Sequence, residues 1–225
     1  AWEEKFANAK ISRDEAVRCW KESEAKAAIS EELYEKLHGT NRSGVAEALD
    51  FSAIIAEKRG QHLPGTREWV FEAVLRWRTD PDSAKLFWLI GGGGTGKSVA
   101  AAELLARLLD KQNAAAWHFC KHTEPARSAP AVLLRSLAGM LCATVEGFED
   151  ELRTNKTLTD KINVCEGEEE SKPLVERLER VRAVMTGAAP AEISELFEVL
   201  IAEPLQNTVA PRDTDDALVL LIDAL

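Results

Sequence analysis

The sequence has no apolar run of bilayer length, no cysteine pairs at a regular spacing, no internal repeat and no surplus of positive charge. Each absence removes a class of protein. A membrane-spanning helix needs about twenty consecutive apolar residues, so no membrane span is expected. Lysine and arginine total 28 against 38 aspartates and glutamates, a formal net charge of −10. No basic stripe is left to follow a phosphate backbone, and nucleic acid is not expected as a partner. Cys19, Cys120, Cys142 and Cys165 are scattered along the chain, which fits reduced intracellular thiols better than a disulfide framework. The first ten residues, AWEEKFANAK, are charged and helical in pattern, unlike a secretory signal. A cytoplasmic location is expected.

What is present suits a globular α/β protein. Apolar residues make up 45% of the 225 and charged residues 29%, enough for one domain with an extension or for two small ones. The chain begins with Ala1 inside a helical pattern and ends on ALVLLIDAL, a strand-like run with no polar tail. Both ends are expected to be cut from a longer protein.

Residues 1–38 carry apolar side chains at helical spacing, among them Trp2, Phe6, Ala9, Ala16 and Trp20, which predicts an amphipathic, coiled-coil-like helix. HGTNRSG (38–44) predicts a turn, and a second helix follows over 45–59. Residues 1–59 are therefore assigned to a helical extension or linker, and residues 60–225 to the main domain. Within the latter, Pro64-Gly65 makes a turn and Thr66 is the expected N-cap of a helix that presents Trp69, Ala73 and Trp77 beside Val70 and Val74. Asp80-Pro81 ends that helix.

Beyond it the pattern changes. KLFWLI (85–90), AAAWHFC (114–120) and ALVLLI (217–222) are continuous apolar runs, as expected of parallel strands buried on both faces. Helices are predicted over 97–111, 129–146, 172–187 and 191–203, the third with a stripe of Leu174, Leu178, Val181 and Met185. The acidic segment 165–173 reads as a solvated loop.

GGGGTGKS (91–98) carries the chemistry. It fits G-x-x-x-x-G-K-[ST], with Gly91, Gly92, Gly93, Gly94, Thr95, Gly96, Lys97 and Ser98 in their places. The glycines let successive N–H groups turn toward one phosphate. Lys97 would reach the β and γ phosphates, Ser98 would ligate Mg²⁺, and the helix that follows would point its positive end at the same anion. With glycine at about 7% of residues in ordinary proteins, a chance match in a chain of this length is on the order of one in a hundred. A carboxylate from a neighbouring strand completes such a site. Asp223 closes the apolar run 219–222, whereas Asp213, Asp215 and Asp216 precede it and read as a solvated turn.

Taken together, GTREWVFEAVLRW, FWLIGGGGTGKSV, WHFCKHTEPARSAPAVLLRSLAGML and LVLLIDAL resemble the NACHT group of STAND P-loop NTPases, in particular the subset related to the nephrocystin-type N-terminal module. The resemblance covers about residues 60–225. It implies a three-layer P-loop NTPase fold with a parallel sheet, incomplete here, behind an α-helical extension. It further implies a nucleotide-gated signalling switch that binds ATP or ADP with Mg²⁺ through Gly91–Ser98 and Asp223. Protein partners would come through effector or repeat domains outside this sequence, and nucleotide-dependent self-association is implied as well. Relatives carry a pair of acids shortly after the strand aspartate. Here Ala224 and Leu225 follow Asp223 and the sequence stops, so the resemblance supports binding rather than turnover, and no catalytic residue is assigned. In relatives the region of Arg67 approaches the adenine, which makes Arg67 a candidate there; a solvated helix arginine is the plainer reading.

Two other function classes stay open. A P-loop kinase or phosphotransferase would need a lid of arginines, and Arg127, Arg135 and Arg153 are not grouped like one. A non-hydrolysing interaction module would tolerate a degenerate loop, which intact Lys97, Ser98 and Asp223 argue against. His118, Cys120 and His122 alternate on one strand face, but without a further ligand at a suggestive spacing they read as strand and strand exit rather than a metal site. The apolar edge of KLFWLI should make the piece poorly soluble alone.

Overall fold

The computed structural model describes residues 47–165, 167–208 and 217–223. The helix and turn expected over 1–44 lie outside the described residues, as do Cys19, Asp213, Asp215, Asp216, Ala224 and Leu225. The described part is mixed α and β: mostly helical, with a two-stranded parallel sheet.

Strand β1 (Ala114–Phe119) runs parallel to β2 (Val219–Asp223), in a register that sets Trp117 opposite Leu221 and Phe119 opposite Asp223. Parallel strands need covering on both faces, and β1 is buried at all six positions. Two helices pack on it, α3 (Lys97–Asp110) and α5 (Pro130–Thr144), each with one apolar face. From α3 come Ala102, Leu105 and Leu108; from α5 come Leu137, Ala138, Met140 and Leu141. Thr144 Oγ1 donates to the Ala115 carbonyl at 2.7 Å, fixing the end of α5 to the strand.

The helices preceding the sheet are α1 (Ser52–Arg59) and α2 (Glu68–Thr79). Phe51 and Ile55 bury into the core, and α1 lies along α3. Residues 51–59, assigned from sequence to the extension, thus share the core of the main domain. Two expectations for α2 are corrected. Thr66 does not cap it: its hydroxyl donates to the Leu63 carbonyl, and Arg67 occupies the cap position in a left-handed conformation. The buried face is Val70, Phe71 and Val74, while Trp69 is exposed, and the Phe71 ring lies under the Arg107 guanidinium of α3.

After β1 come a short turn of helix, α4 (Pro125–Ser128), then α5, α6 (Phe148–Thr154) and α7 (Lys156–Val164). Sequence periodicity did not reveal α6 and α7. They are short, and the buried Glu151 holds them together, accepting hydrogen bonds from Thr157 N, Thr157 Oγ1 and Asn207 Nδ2. Helix α8 (Glu168–Thr186) starts inside the acidic segment expected to be a loop. Its first turn holds Glu168, Glu169 and Glu170, where the helix dipole favours negative charge. Leu178, Val181 and Met185 of the expected stripe are buried, joined by Val184. The helix expected over 191–203 is three pieces: α9 (Ile193–Phe197), a π-helical turn (Glu198–Ala202) and α10 (Glu203–Thr208). The wider turn brings Val199, Leu200 and Ile201 all into the core.

The largest departure concerns KLFWLI. Residues 85–90 are not a strand, and Leu86, Trp88 and Ile90 are 68%, 76% and 82% exposed. An apolar run becomes a strand only where a neighbour takes its N–H and C=O groups, and none lies alongside among the described residues. Strand β2 is likewise covered on one face only: Val219, Leu221 and Asp223 are buried, whereas Leu220 and Ile222 are 40% and 50% exposed.

Residues 47–50 cross over α5. Leu49 N donates to Ser136 Oγ at 3.0 Å, and at Gly139 an added Cβ would meet Ala48 N at 2.5 Å and Glu47 C at 2.8 Å. Backbone against backbone cannot give way as a side-chain tip can. Gly139→Ala should therefore destabilise the chain by about 1–3 kcal/mol, seen as a lower urea midpoint. An unchanged midpoint would mean that residues 47–50 do not hold this seat in solution.

Candidate functional site

The loop 91–98 connects the unpaired apolar segment to α3, and its conformation needs glycine at two places. Gly94 has φ +74° and Gly96 φ +79°, values that residues with a Cβ rarely adopt. The loop doubles back on itself. Lys97 Nζ donates to the carbonyls of Gly91 and Gly92, both at 2.8 Å, and Thr95 Oγ1 donates to the Gly92 carbonyl at 2.9 Å. One ammonium thus closes the loop, six residues back along the chain. Residues 91–95 are exposed, while Ser98, in the first turn of α3, is buried.

That first turn contains no acidic residue. Its unpaired N–H groups and the helix dipole therefore face outward with no negative charge to satisfy them. The sheet supplies a carboxylate nearby: Asp223 ends β2, and β2 packs on α3. Asp223 is buried, its carbonyl accepts from Cys120 N at 2.8 Å, and its Oδ2 has no hydrogen-bond partner among the described residues. A buried carboxylate oxygen without a donor is costly unless a cation or a bound group completes it. A carboxylate oxygen, a lysine and a serine hydroxyl are the group types that could hold a phosphate and a hard divalent cation.

Arg67 lies against the same loop. A Cβ on Gly96 would sit 2.5 Å from Arg67 Nη2 and 3.1 Å from its Cζ, and Nη2 approaches the Thr95 carbonyl at 3.4 Å. The sequence made Arg67 a candidate for the adenine side, with a solvated helix arginine the plainer reading; its guanidinium lies beside Thr95 and Gly96 of the glycine-rich loop. The next residue, Glu68, forms a bidentate pair with Arg107 of α3, at 2.8 and 2.9 Å. The hydrogen bonds from Arg107 hold the Glu68 carboxyl below its ordinary range. Sequence alone offered no signal for this pair, because the two residues sit on separate helices.

The arginines weighed as a lid have other engagements. Arg127 donates twice to the Phe119 carbonyl, at 3.0 and 2.8 Å, and pairs with Glu124; Arg135 reaches the Met185 carbonyl; Arg153 pairs with Glu149. His118, Cys120 and His122 do not converge on a metal, and no group of three or more potential ligands occurs among the described residues. Burial, with the nearby Asp223 carboxylate, pushes the Cys120 thiol up. Cys120, Cys142 and Cys165 form no disulfide. No helix among the described residues is long and apolar enough to cross a membrane.

A family profile described as Nephrocystin 3, N-terminal, matches residues 65–191. The match is more than half the chain and includes the whole loop, but it stops short of β2 and Asp223. No curated protein and no solved structure matches the chain.

His118 gives the neighbourhood a pH dependence. It is fully buried, edge-on to Phe51 at 4.9 Å, and its Nε2 donates to the Arg127 carbonyl at 3.1 Å, leaving Nδ1 without a partner. Burial lowers its pKa, with the charge of Arg127 adding to the effect. The unfolded chain takes up a proton near the ordinary value of 6.5, where the folded chain does not. Stability should therefore fall as pH drops below about 6.5 toward the depressed folded value. Urea melts between pH 7.5 and 5.5 should show a steeper loss for the unmodified chain than for His118→Asn. Parallel losses would mean that His118 charges freely in the folded state.

Proposed function

The chain belongs to the nephrocystin 3 N-terminal family, and on that premise we propose that it is a nucleotide-binding switch module of the NACHT type. It takes ADP or ATP with Mg²⁺ on the loop 91–98. The observation that carries this reading is the self-closed loop: left-handed Gly94 and Gly96, with Lys97 Nζ on the carbonyls of Gly91 and Gly92. A coincidental glycine-rich turn has no need of a lysine that returns to its own first residues.

In this reading the N–H groups of the loop and the start of α3 receive the phosphates, and Lys97 neutralises them. Ser98 and Asp223 would hold the Mg²⁺, whose contribution when bound is to neutralise and orient the phosphate oxygens. The parallel pair β1–β2, backed by α3, is read as part of a P-loop NTPase sheet. The locked positions of Arg127 and Arg135 speak against a mobile kinase lid. A cytoplasmic switch of this kind would act on protein partners, or on further copies of itself, when its nucleotide changes.

The test is titration of a fluorescent ADP analogue with Mg²⁺, with ATP and GTP as competitors. Lys97→Ala should weaken binding roughly 10- to 100-fold, as expected for losing a charge-assisted contact. Asp223→Asn should remove most of the Mg²⁺ dependence while leaving binding in excess chelator unchanged. Binding that survives Lys97→Ala at full strength would place the nucleotide elsewhere and sink the proposal.

A further inference from the structure

Arg67 holds its backbone at φ 60° and ψ 18°, in the left-handed region. A residue with a long side chain stays there only when its surroundings hold it. Those surroundings are specific. Arg67 O accepts from Val70 N at 2.9 Å as α2 begins, and the adjacent Glu68 is bound bidentately to Arg107 of α3. The start of α2 is thereby fastened to the helix that grows out of the phosphate loop. The strained residue is the one whose guanidinium lies on Gly96.

The contact falls on a particular peptide unit. Arg67 approaches the carbonyl of Thr95, and no peptide bond among the described residues is cis. In a trans peptide the C=O and the following N–H point in opposite directions. A cation on the Thr95 oxygen therefore lies on the side away from the Gly96 N–H, orients that group and polarises it toward a stronger donor. The loop needs such restraint. Four consecutive glycines, Gly91 to Gly94, have more conformational freedom to lose than any other residues. Lys97 ties down only the first half, at Gly91 and Gly92. Arg67 touches the second half, at Thr95 and Gly96, from outside it.

We propose that Arg67 is a positioning residue of the phosphate loop, a clamp on the Thr95–Gly96 peptide that prepares its N–H groups for phosphate, and not a reader of the base. The inference rests on the nucleotide-binding reading above and assigns Arg67 its part in it.

The experiment compares the unmodified chain with Arg67→Ala and Arg67→Lys. Mg·ADP, Mg·GDP and inorganic pyrophosphate are measured as ligands, and amide hydrogen exchange of residues 92–96 is measured without any ligand. The clamp predicts that Arg67→Ala weakens all three ligands by a similar factor, about tenfold. It also predicts faster exchange in the ligand-free loop, with Arg67→Lys restoring only part of either, since an ammonium lacks the planar fork of a guanidinium. A changed ADP-to-GDP preference with pyrophosphate unaffected would make Arg67 a base contact and overturn the proposal. Weaker pyrophosphate binding with unchanged exchange would make it a direct phosphate ligand and overturn it too. Unchanged binding and exchange would make it a solvated arginine. If the unmodified chain binds no nucleotide, the reading beneath fails, and the exchange comparison alone decides whether Arg67 restrains the loop.

Discussion

One guanidinium holds the scaffold of the loop together. Arg107, in the last turn of α3, is bound bidentately to Glu68 of α2, bonded to Glu103 at 3.0 Å, and stacked over the Phe71 ring at 3.9 Å. Glu103 also accepts from Arg59 at the end of α1. Helices α1, α2 and α3 all reach this point through a charged side chain. The groups are partly exposed to solvent, so salt screens their attraction. Their value is geometric more than energetic: a planar fork gripping a planar carboxylate fixes both distance and orientation. Because Arg67 immediately precedes α2 and Lys97 opens α3, fixing the two helices fixes the two cations that flank the loop.

The local elements were the most legible from sequence. The strand at 114–119, the strand ending at Asp223 and the helix after the loop declare themselves by continuous or periodic apolar residues, and the structure forms all three. The loop is legible because its geometry demands glycine, and glycine at Gly94 and Gly96 is a direct record of left-handed backbone. What could not be read depends on partners distant in the chain. KLFWLI has the composition of a buried strand, but composition does not supply a neighbour. Helices α6 and α7 are too short to show a period, and they hang on Glu151, an acidic residue that composition would place in solvent. For the same reason Thr66 looked like a cap while Arg67 took the position: its conformation is imposed by Glu68 and Arg107, thirty-nine residues apart.

Two groups of exposed apolar side chains lie on the segments that lead to the loop and to Asp223, while Leu63, Trp69 and Val164 are exposed elsewhere. Leu86, Trp88 and Ile90 lead into the glycine-rich loop, and Leu220 and Ile222 lie on the uncovered face of β2, which ends at Asp223. Both lie on the segments that deliver the site's residues, whereas β1, one strand removed from Asp223, is sealed. A site assembled on the open margin of a core can respond to whatever covers that margin, in a way that a site within a sealed core cannot.

The parallel pairing of β1 with β2 also sets an order of events. The two strands are joined by the whole of α4 through α10, so their first hydrogen bond closes a loop of roughly a hundred residues at a large entropic cost. Helix α5 meets β1 within a few tens of residues, and α6 and α7 meet each other at once. Nascent chains should therefore collect α3, β1 and α5 early, and the ladder to β2 should form last and set the folding rate. The carboxylate that β2 carries would then be the final piece to arrive, and the glycine-rich loop would exist as a shaped backbone before Asp223 is in place.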